Sequence, residues 1–247
     1  MENLILYQSP FEKKRIGKNN DGGYVIALLP DNYDLFISGG VSDDISFEEY
    51  LLELYPKLFC YAFDGNVSKL PNDNANDRII FHKKNLGDSN NDKLTNLHEY
   101  IEPHNNIFMK IDIEGHEFRI IPTIIEKDLM RKIKQLVIEI HSPGDIQTFP
   151  EYYKGLIDID NTKMFDLFTK INNTHTLVHF HANNGCELQK IDGIALPHVF
   201  ELTYIRNNFV TKKMKNTELL PTILDMRNVV DKDDYILEGF PYSTQLI

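Results

Sequence analysis

Leu35-Phe36-Ile37-Ser38-Gly39-Gly40-Val41-Ser42-Asp43-Asp44-Ile45-Ser46-Phe47-Glu48-Glu49 is the stretch on which the fold turns. A short apolar run enters a glycine pair. A polar loop then leads into a segment where Phe47, Tyr50, Leu51 and Leu54 share one helical face. Ser46 with Glu49 three residues later has the form of a capping box. Strand, loop and helix in that order open an α/β fold, and the unit recurs downstream. Leu58 to Phe63 predicts a second strand ending at Asp64, and Arg78 to His82 a third. Ile107 to Ile111 predicts a fourth ending at Asp112, and Leu136 to Ile140 a fifth ending at His141. Helices are expected through Leu94, Leu97 and Ile101, from Pro122 in a first turn through Ile125 and Leu129, and through Met164, Phe165, Phe168 and Ile171. Strands at Thr176 to Phe180 and Phe200 to Ile205 have no helix-length pattern between them, which predicts an antiparallel pair.

Nearly continuous apolar strands alternating with helices predict an α/β fold whose mostly parallel sheet is covered on both faces. It would end in an antiparallel C-terminal hairpin. Upstream, apolar runs flank Asn19-Asn20-Asp21-Gly22-Gly23, a cluster suited to a tight hairpin turn. The expected organisation is one domain over residues 1–247, with an N-terminal hairpin extension over about 1–33 and a tail over about 207–247.

Hydrophobic residues at 42% and charged residues at 26% of 247 fit a globular chain. The absence of about 18 consecutive apolar residues argues against a membrane span. The N-terminus does not read as a signal peptide, and two cysteines are too few for a disulfide framework, so a cytoplasmic protein is expected. A net charge of −11 disfavours nucleic acid as a partner, because affinity for a phosphate backbone comes from basic side chains. Lys13-Lys14-Arg15, Lys83-Lys84 and Lys212-Lys213 are short and scattered.

In an open α/β sheet, ligands bind beyond the carboxyl ends of the strands. The residues expected there as cofactor contacts are Gly39, Gly40, Ser42, Asp44, Asp64, Gly65, Asn85 and Leu86. Gly39-Gly40 permits close backbone approach, and Asp64 is suited to accept hydrogen bonds from ribose hydroxyls. The glycine fingerprint of dinucleotide binders is missing. Two acids in the loop would repel a pyrophosphate, whereas they suit the ammonium and sulfonium of S-adenosylmethionine.

Phe108-Met109-Lys110-Ile111-Asp112-Ile113-Glu114-Gly115-His116-Glu117 resembles the signature of FkbM-type methyltransferases. Further elements extend the resemblance from about Arg15 to Tyr242. They are Asp21-Gly22-Gly23-Tyr24, the loop from Gly40 to Glu48, His181-Ala182-Asn183-Asn184, Glu201-Leu202-Thr203-Tyr204, and a tail with Tyr235-Ile236-Leu237-Glu238-Gly239-Phe240-Pro241. One departure is Phe36-Ile37-Ser38-Gly39-Gly40, where many class I methyltransferases carry an acid and three spaced glycines. The resemblance implies a Rossmann-like class I methyltransferase sheet, S-adenosylmethionine as cofactor, and O-methylation of a sugar or sugar-bearing metabolite, so that the partner would be a small-molecule or glycan acceptor.

An alcohol attacks a methyl group better when a base removes its proton. Asp112, Glu114, His141 and His181 are the candidate catalytic residues, with His141 or His181 as base, and Asn183, Asn184 and Glu201 are candidate acceptor contacts. Asp112, Glu139, His141 and His181 also offer oxygen and nitrogen donors to a divalent metal, though no local motif supports one. The competing readings are a non-catalytic binding module on the same fold, favoured by the altered glycine loop, and a sugar-nucleotide oxidoreductase or epimerase.

Overall fold

The Asn-Asp-Gly-Gly turn does close a hairpin, β1 (Lys13–Gly17) pairing antiparallel with β2 (Gly23–Ala27). Gly22 supplies the turn's left-handed backbone at φ +89°. The structure is a computed structural model that describes residues 1–71 and 76–246. Behind the hairpin come β3 (Leu35–Gly39), α1 (Ser46–Leu54), β4 (Cys60–Phe63), β5 (Ile79–His82), and the short β6 (Asn85–Leu86) and β7 (Leu94–Thr95). Then follow α2 (His98–Ile101), β8 (Ile107–Ile111), α3 (Glu117–Glu126), β9 (Ile133–His141), α4 (Pro143–Thr148) and α5 (Asn161–Asn172). The chain continues with β10 (His175–Ala182), a small hairpin of β11 (Leu188–Ile191) and β12 (Ile194–Pro197), and β13 (Val199–Arg206).

Seven strands form the central sheet in the order β10-β13-β9-β8-β3-β4-β5. From β9 to β5 all neighbours are parallel, and β13 runs antiparallel to both β9 and β10. This is the mostly parallel, Rossmann-like sheet with an antiparallel C-terminal pair. Alternation along each strand explains the layers. Ile37, Met109, Leu136 and Ile138 pack with Ile120, Ile124 and Phe168 of α3 and α5. Their neighbours Phe36, Phe108 and Val137 face the other way, toward Phe47 and Leu51 of α1 and Tyr24 and Ile26 of the hairpin. Both faces are therefore buried, and the N-terminal hairpin does the work of a helix on one of them. The chain leaves β3 toward β5 and returns on the opposite side to β8. The crevice between the ends of β3 and β8 is the topological switch point, the place where such sheets bind ligands.

Four local expectations change. The start of α1 is braced by Asp44, whose oxygens accept from the Ser46 amide at 3.0 Å and the Ser46 hydroxyl at 3.1 Å; Ser46 is already inside the helix. Leu94 lies in β7 against β6, and Leu97 takes φ +64°, so only His98–Ile101 is helical. Pro122 sits inside α3 rather than in its first turn, because the left-handed pair Glu114 (φ +56°) and Gly115 (φ +84°) starts that helix earlier. Between β10 and β13 the Asp192-Gly193 turn, both residues at positive φ, makes the hairpin of β11 and β12. Cys60 and Cys186 are free, and among the described residues no helix is long and apolar enough to cross a membrane.

Candidate cofactor and acceptor site

A cavity of about 540 Å³ opens at the switch point, within the range of small-molecule sites. Gly40 and Asp112 meet at its floor, at φ +76° for Gly40, where an added Cβ would lie 1.6 Å from the Asp112 carbonyl oxygen. No other residue type fits there without moving the end of β8. Phe63, Val67, Leu86 and Leu94 give it apolar walls. Asp64 stands at the end of β4, where its Oδ2 accepts from the Ser42 amide at 3.0 Å. Its Oδ1 accepts from the amides of Asn66 at 2.7 Å and Val67 at 3.3 Å. An ionised carboxylate offers about four acceptor positions, so capacity for a ligand hydroxyl remains while the loop is held in place.

Of the cofactor contacts expected from sequence, Gly40, Ser42, Asp64, Asn85 and Leu86 line this cavity. Gly39 and Gly65 stand behind the lining. A Cβ on Gly39 would strike Leu86 and one on Gly65 would strike Asn85, whose Oδ1 accepts from the Gly65 amide at 3.0 Å. Asp44 is spent on the start of α1. At the altered glycine loop, the Ser38 hydroxyl donates to the buried Glu48 from α1. A carboxylate thus reaches the end of β3 from the helix rather than from the strand.

The side of the cavity around Asp112 is richer in charge. Tyr24 of the hairpin donates to Asp112 Oδ2 at 2.8 Å, and Lys110 Nζ lies 3.7 Å from the same oxygen while donating to the Gly40 carbonyl at 3.1 Å. Burial acts to raise the Asp112 carboxyl, but the Lys110 ammonium together with the hydrogen bonds from Glu139 and Tyr24 holds Asp112 below the usual range. Burial pushes its neighbour Glu139 well up, and the Asp112 charge adds to the effect. Of this pair, Glu139 keeps the proton. Glu114, aimed by its left-handed backbone, brings Oε2 to 3.3 Å from His141 Nε2. His141 Nδ1 lies 2.9 Å from Asp145 Oδ2. Burial acts to lower the imidazole, yet the bond to Asp145 and the surrounding carboxylates raise it above its ordinary value.

His181 is elsewhere. The register places Glu139 opposite Glu201 and Glu201 opposite His181, which makes a row from Asp112 through Glu139 and Glu201 to His181. With strands about 4.8 Å apart, the backbone at His181 stands three strand spacings, roughly 14 Å, from that at Asp112, so the two side chains do not meet at one point of the cavity. Its nitrogens face Glu201 at 3.4 Å and Asp234 at 3.6 Å, under the tail. Asn184 likewise ties the tail, donating to the carbonyls of Val229 and Lys232 at 2.9 and 3.0 Å. Glu201 accepts from Asn228 at 3.0 Å. Asn183 stands beside Glu139, donating to it at 3.3 Å. The sequence reading assigned no role to Tyr24, Asp145, Tyr152 or Tyr153. The spacing of Asp145 four residues beyond His141 was a usable signal, whereas the two tyrosines lie in an irregular segment with none.

No family model matches the chain, and no curated protein does. Solved structures with a similar course include the plantazolicin methyltransferase BpumL in complex with a substrate analogue and S-adenosylhomocysteine. It is 9% identical, with a TM-score of 0.40 over 71% of this chain and 77% of that one. A precorrin-6y C5,15-methyltransferase from Geobacter metallireducens is 12% identical, with a TM-score of 0.38 over 72% and 81% of the two chains. The 16S rRNA (adenine(1408)-N(1))-methyltransferase from Catenulisporales acidiphilia, solved with S-adenosylmethionine, is 9% identical, with a TM-score of 0.38 over 78% and 96%. Similarity at this level transfers no residue role or substrate to this chain.

Proposed function

We propose that the chain is an S-adenosylmethionine-dependent methyltransferase of the FkbM type that methylates a hydroxyl of a sugar or sugar-bearing metabolite. One observation carries the reading. A single cavity joins Asp64 and the Gly40 crevice, which suit a nucleoside, to Asp112 and Glu114, which lie beside a buried Asp145–His141 pair. The residues present fit the cofactor: an acid with spare acceptor capacity at the end of β4, a glycine that no side chain can replace, and apolar walls. Bound there, S-adenosylmethionine supplies an electrophilic methyl group.

The protein's part is to hold the acceptor in line and to promote loss of its proton. Asp112, Glu114 and His141 form the group that an acceptor hydroxyl would meet, and Asp145 fixes the imidazole with Nε2 toward Glu114. Glu114 and Tyr152, both on the cavity wall, and Asn183 beside Glu139 offer the mixed donors and acceptors that a polyol needs. The FkbM resemblance supports the sugar acceptor.

Methyl transfer from labelled S-adenosylmethionine to a panel of sugars, nucleotide sugars and glycans tests the reading. His141→Ala is expected to lower turnover by about 10²-fold or more with S-adenosylhomocysteine binding retained. His181→Gln is expected to leave turnover of the folded protein within a few-fold. Equal loss in both would contradict the assignment.

A further inference from the structure

The corner where Asp112, Glu114 and His141 converge is built more like a coordination site than like an acid–base pair. We propose that these three side chains bind one divalent metal ion, of which Mn²⁺ is the best match. One ligand atom from each lies within 4.8 Å of the other two. His141 is 7% exposed, and its Nε2 is buried without a hydrogen-bond partner among the described residues. That nitrogen lies 3.3 Å from Glu114 Oε2, close but not in hydrogen-bonding geometry. Two adjacent ligands of an octahedral ion, each about 2.1 Å from the metal, stand about 3 Å apart.

The other face of the ring supplies an independent argument. Asp145 Oδ2 lies 2.9 Å from Nδ1, and the Tyr153 hydroxyl, 2.6 Å from the same nitrogen, donates to Asp145. In the neutral ring the carboxylate thereby fixes the proton on Nδ1 and leaves the lone pair on Nε2, the nitrogen from which a metal ion would displace any second proton. A carboxylate behind a histidine is the usual outer support of a metal-bound imidazole. Two carboxylate oxygens with one imidazole nitrogen suit an ion between the hard and borderline classes. Asp112 and Glu114 bring two negative charges to the corner, of which the Lys110 ammonium, 3.7 Å from Asp112, offsets part. The Glu114 side chain is 53% exposed, which gives an entry path.

Three protein ligands leave coordination positions open toward the cavity. The use of the ion rests on the methyltransferase reading. An acceptor hydroxyl entering its coordination shell becomes more acidic, its O–H bond breaking with the electron pair kept on oxygen and the proton released to water. His141 is then a ligand and not the base.

The test is titration of chelator-treated full-length protein with MnCl₂, read by loss of the free-ion electron paramagnetic resonance signal, alongside calorimetric titration with S-adenosylhomocysteine. One Mn²⁺ per chain is expected. Its dissociation constant should rise at least tenfold in Glu114→Gln and in His141→Ala, and about tenfold or more in Asp145→Asn. Glu114 is exposed, so its variant keeps the fold in the event that the buried ones do not. Stoichiometric Mn²⁺ binding unchanged by Glu114→Gln, or no Mn²⁺ binding by protein that binds S-adenosylhomocysteine, would overturn the proposal. Mn²⁺ binding without S-adenosylhomocysteine binding would leave the site standing and remove the methyltransferase reading.

Discussion

Glu117 opens α3 fully buried, with Oε1 accepting from the Ile113 amide at 2.7 Å and Oε2 without a partner among the described residues. Burial pushes its carboxyl from 4.5 up to about 7. The folded protein holds this proton over a range where the unfolded chain has lost it. The stability linked to Glu117 is therefore fully present below about pH 4.5, declines as pH rises, and is gone above about pH 7. The shift corresponds to roughly 3 kcal/mol. Glu117→Gln keeps the oxygen that accepts from Ile113 and removes the titration. Urea unfolding should find the variant more stable than the parent by up to roughly 3 kcal/mol near neutral pH, with the gap closing toward about pH 4.5. An equal gap at both pH values would mean that Glu117 does not titrate in this window. The cost makes sense if the buried acid fixes the Glu114-Gly115 turn, since its acceptor bond goes to the residue just before that turn.

Among the elements, β10 carries the alternation His179, Phe180, His181, in which Phe180 enters the core and both histidines face the tail. His179 Nε2 lies 2.7 Å from Asp225, and His181 lies between Glu201 and Asp234. Burial lowers the His181 imidazole, but the facing carboxylates, Glu201 first, raise it to about 10. A raised histidine stabilises most below its unfolded value of 6.5, and that contribution is lost as pH rises through about 10. The tail from residue 222 onward should resist limited proteolysis near pH 7 and become cleavable above about pH 10, with His181→Gln cleaved already at pH 7. Protection independent of pH in the parent would mean that the tail is held by its other contacts, such as those of Asn184.

Legibility also varied by element. Ile107–Ile111 read correctly because a strand buried on both faces is a continuous apolar run with a polar stop. Pro122 misled because the helix start is set seven and eight residues earlier, by two left-handed residues that periodicity does not reveal. Leu94 and Leu97 had helical spacing but not helical backbone, since Leu97 itself takes positive φ. Asp192-Gly193 was a readable hairpin turn that the spacing argument passed over.

At the scale of the whole molecule, chain order gives the residues at the strand ends but not the order of strands. Asp64 and Gly40 fall on one cavity because β3 and β4 are neighbours, as consecutive parallel strands usually are. His181 falls outside because β13, last in sequence, inserts between β9 and β10. No local pattern in β10 records that insertion. The lining of the cavity was therefore legible on the side built by consecutive strands. It was misread on the side closed by the C-terminal pair. The same topology makes one claim central: the crevice between β3 and β8 holds a nucleoside whose ribose is recognised by Asp64. Calorimetric titration with S-adenosylmethionine and S-adenosylhomocysteine, against NAD and NADP and repeated on Asp64→Ala, tests it most directly. The account predicts micromolar binding of the first two, about tenfold or more weaker in the variant, and none of the dinucleotides. Folded protein that binds neither sulfur-containing ligand, or that binds only NAD or NADP, would contradict it.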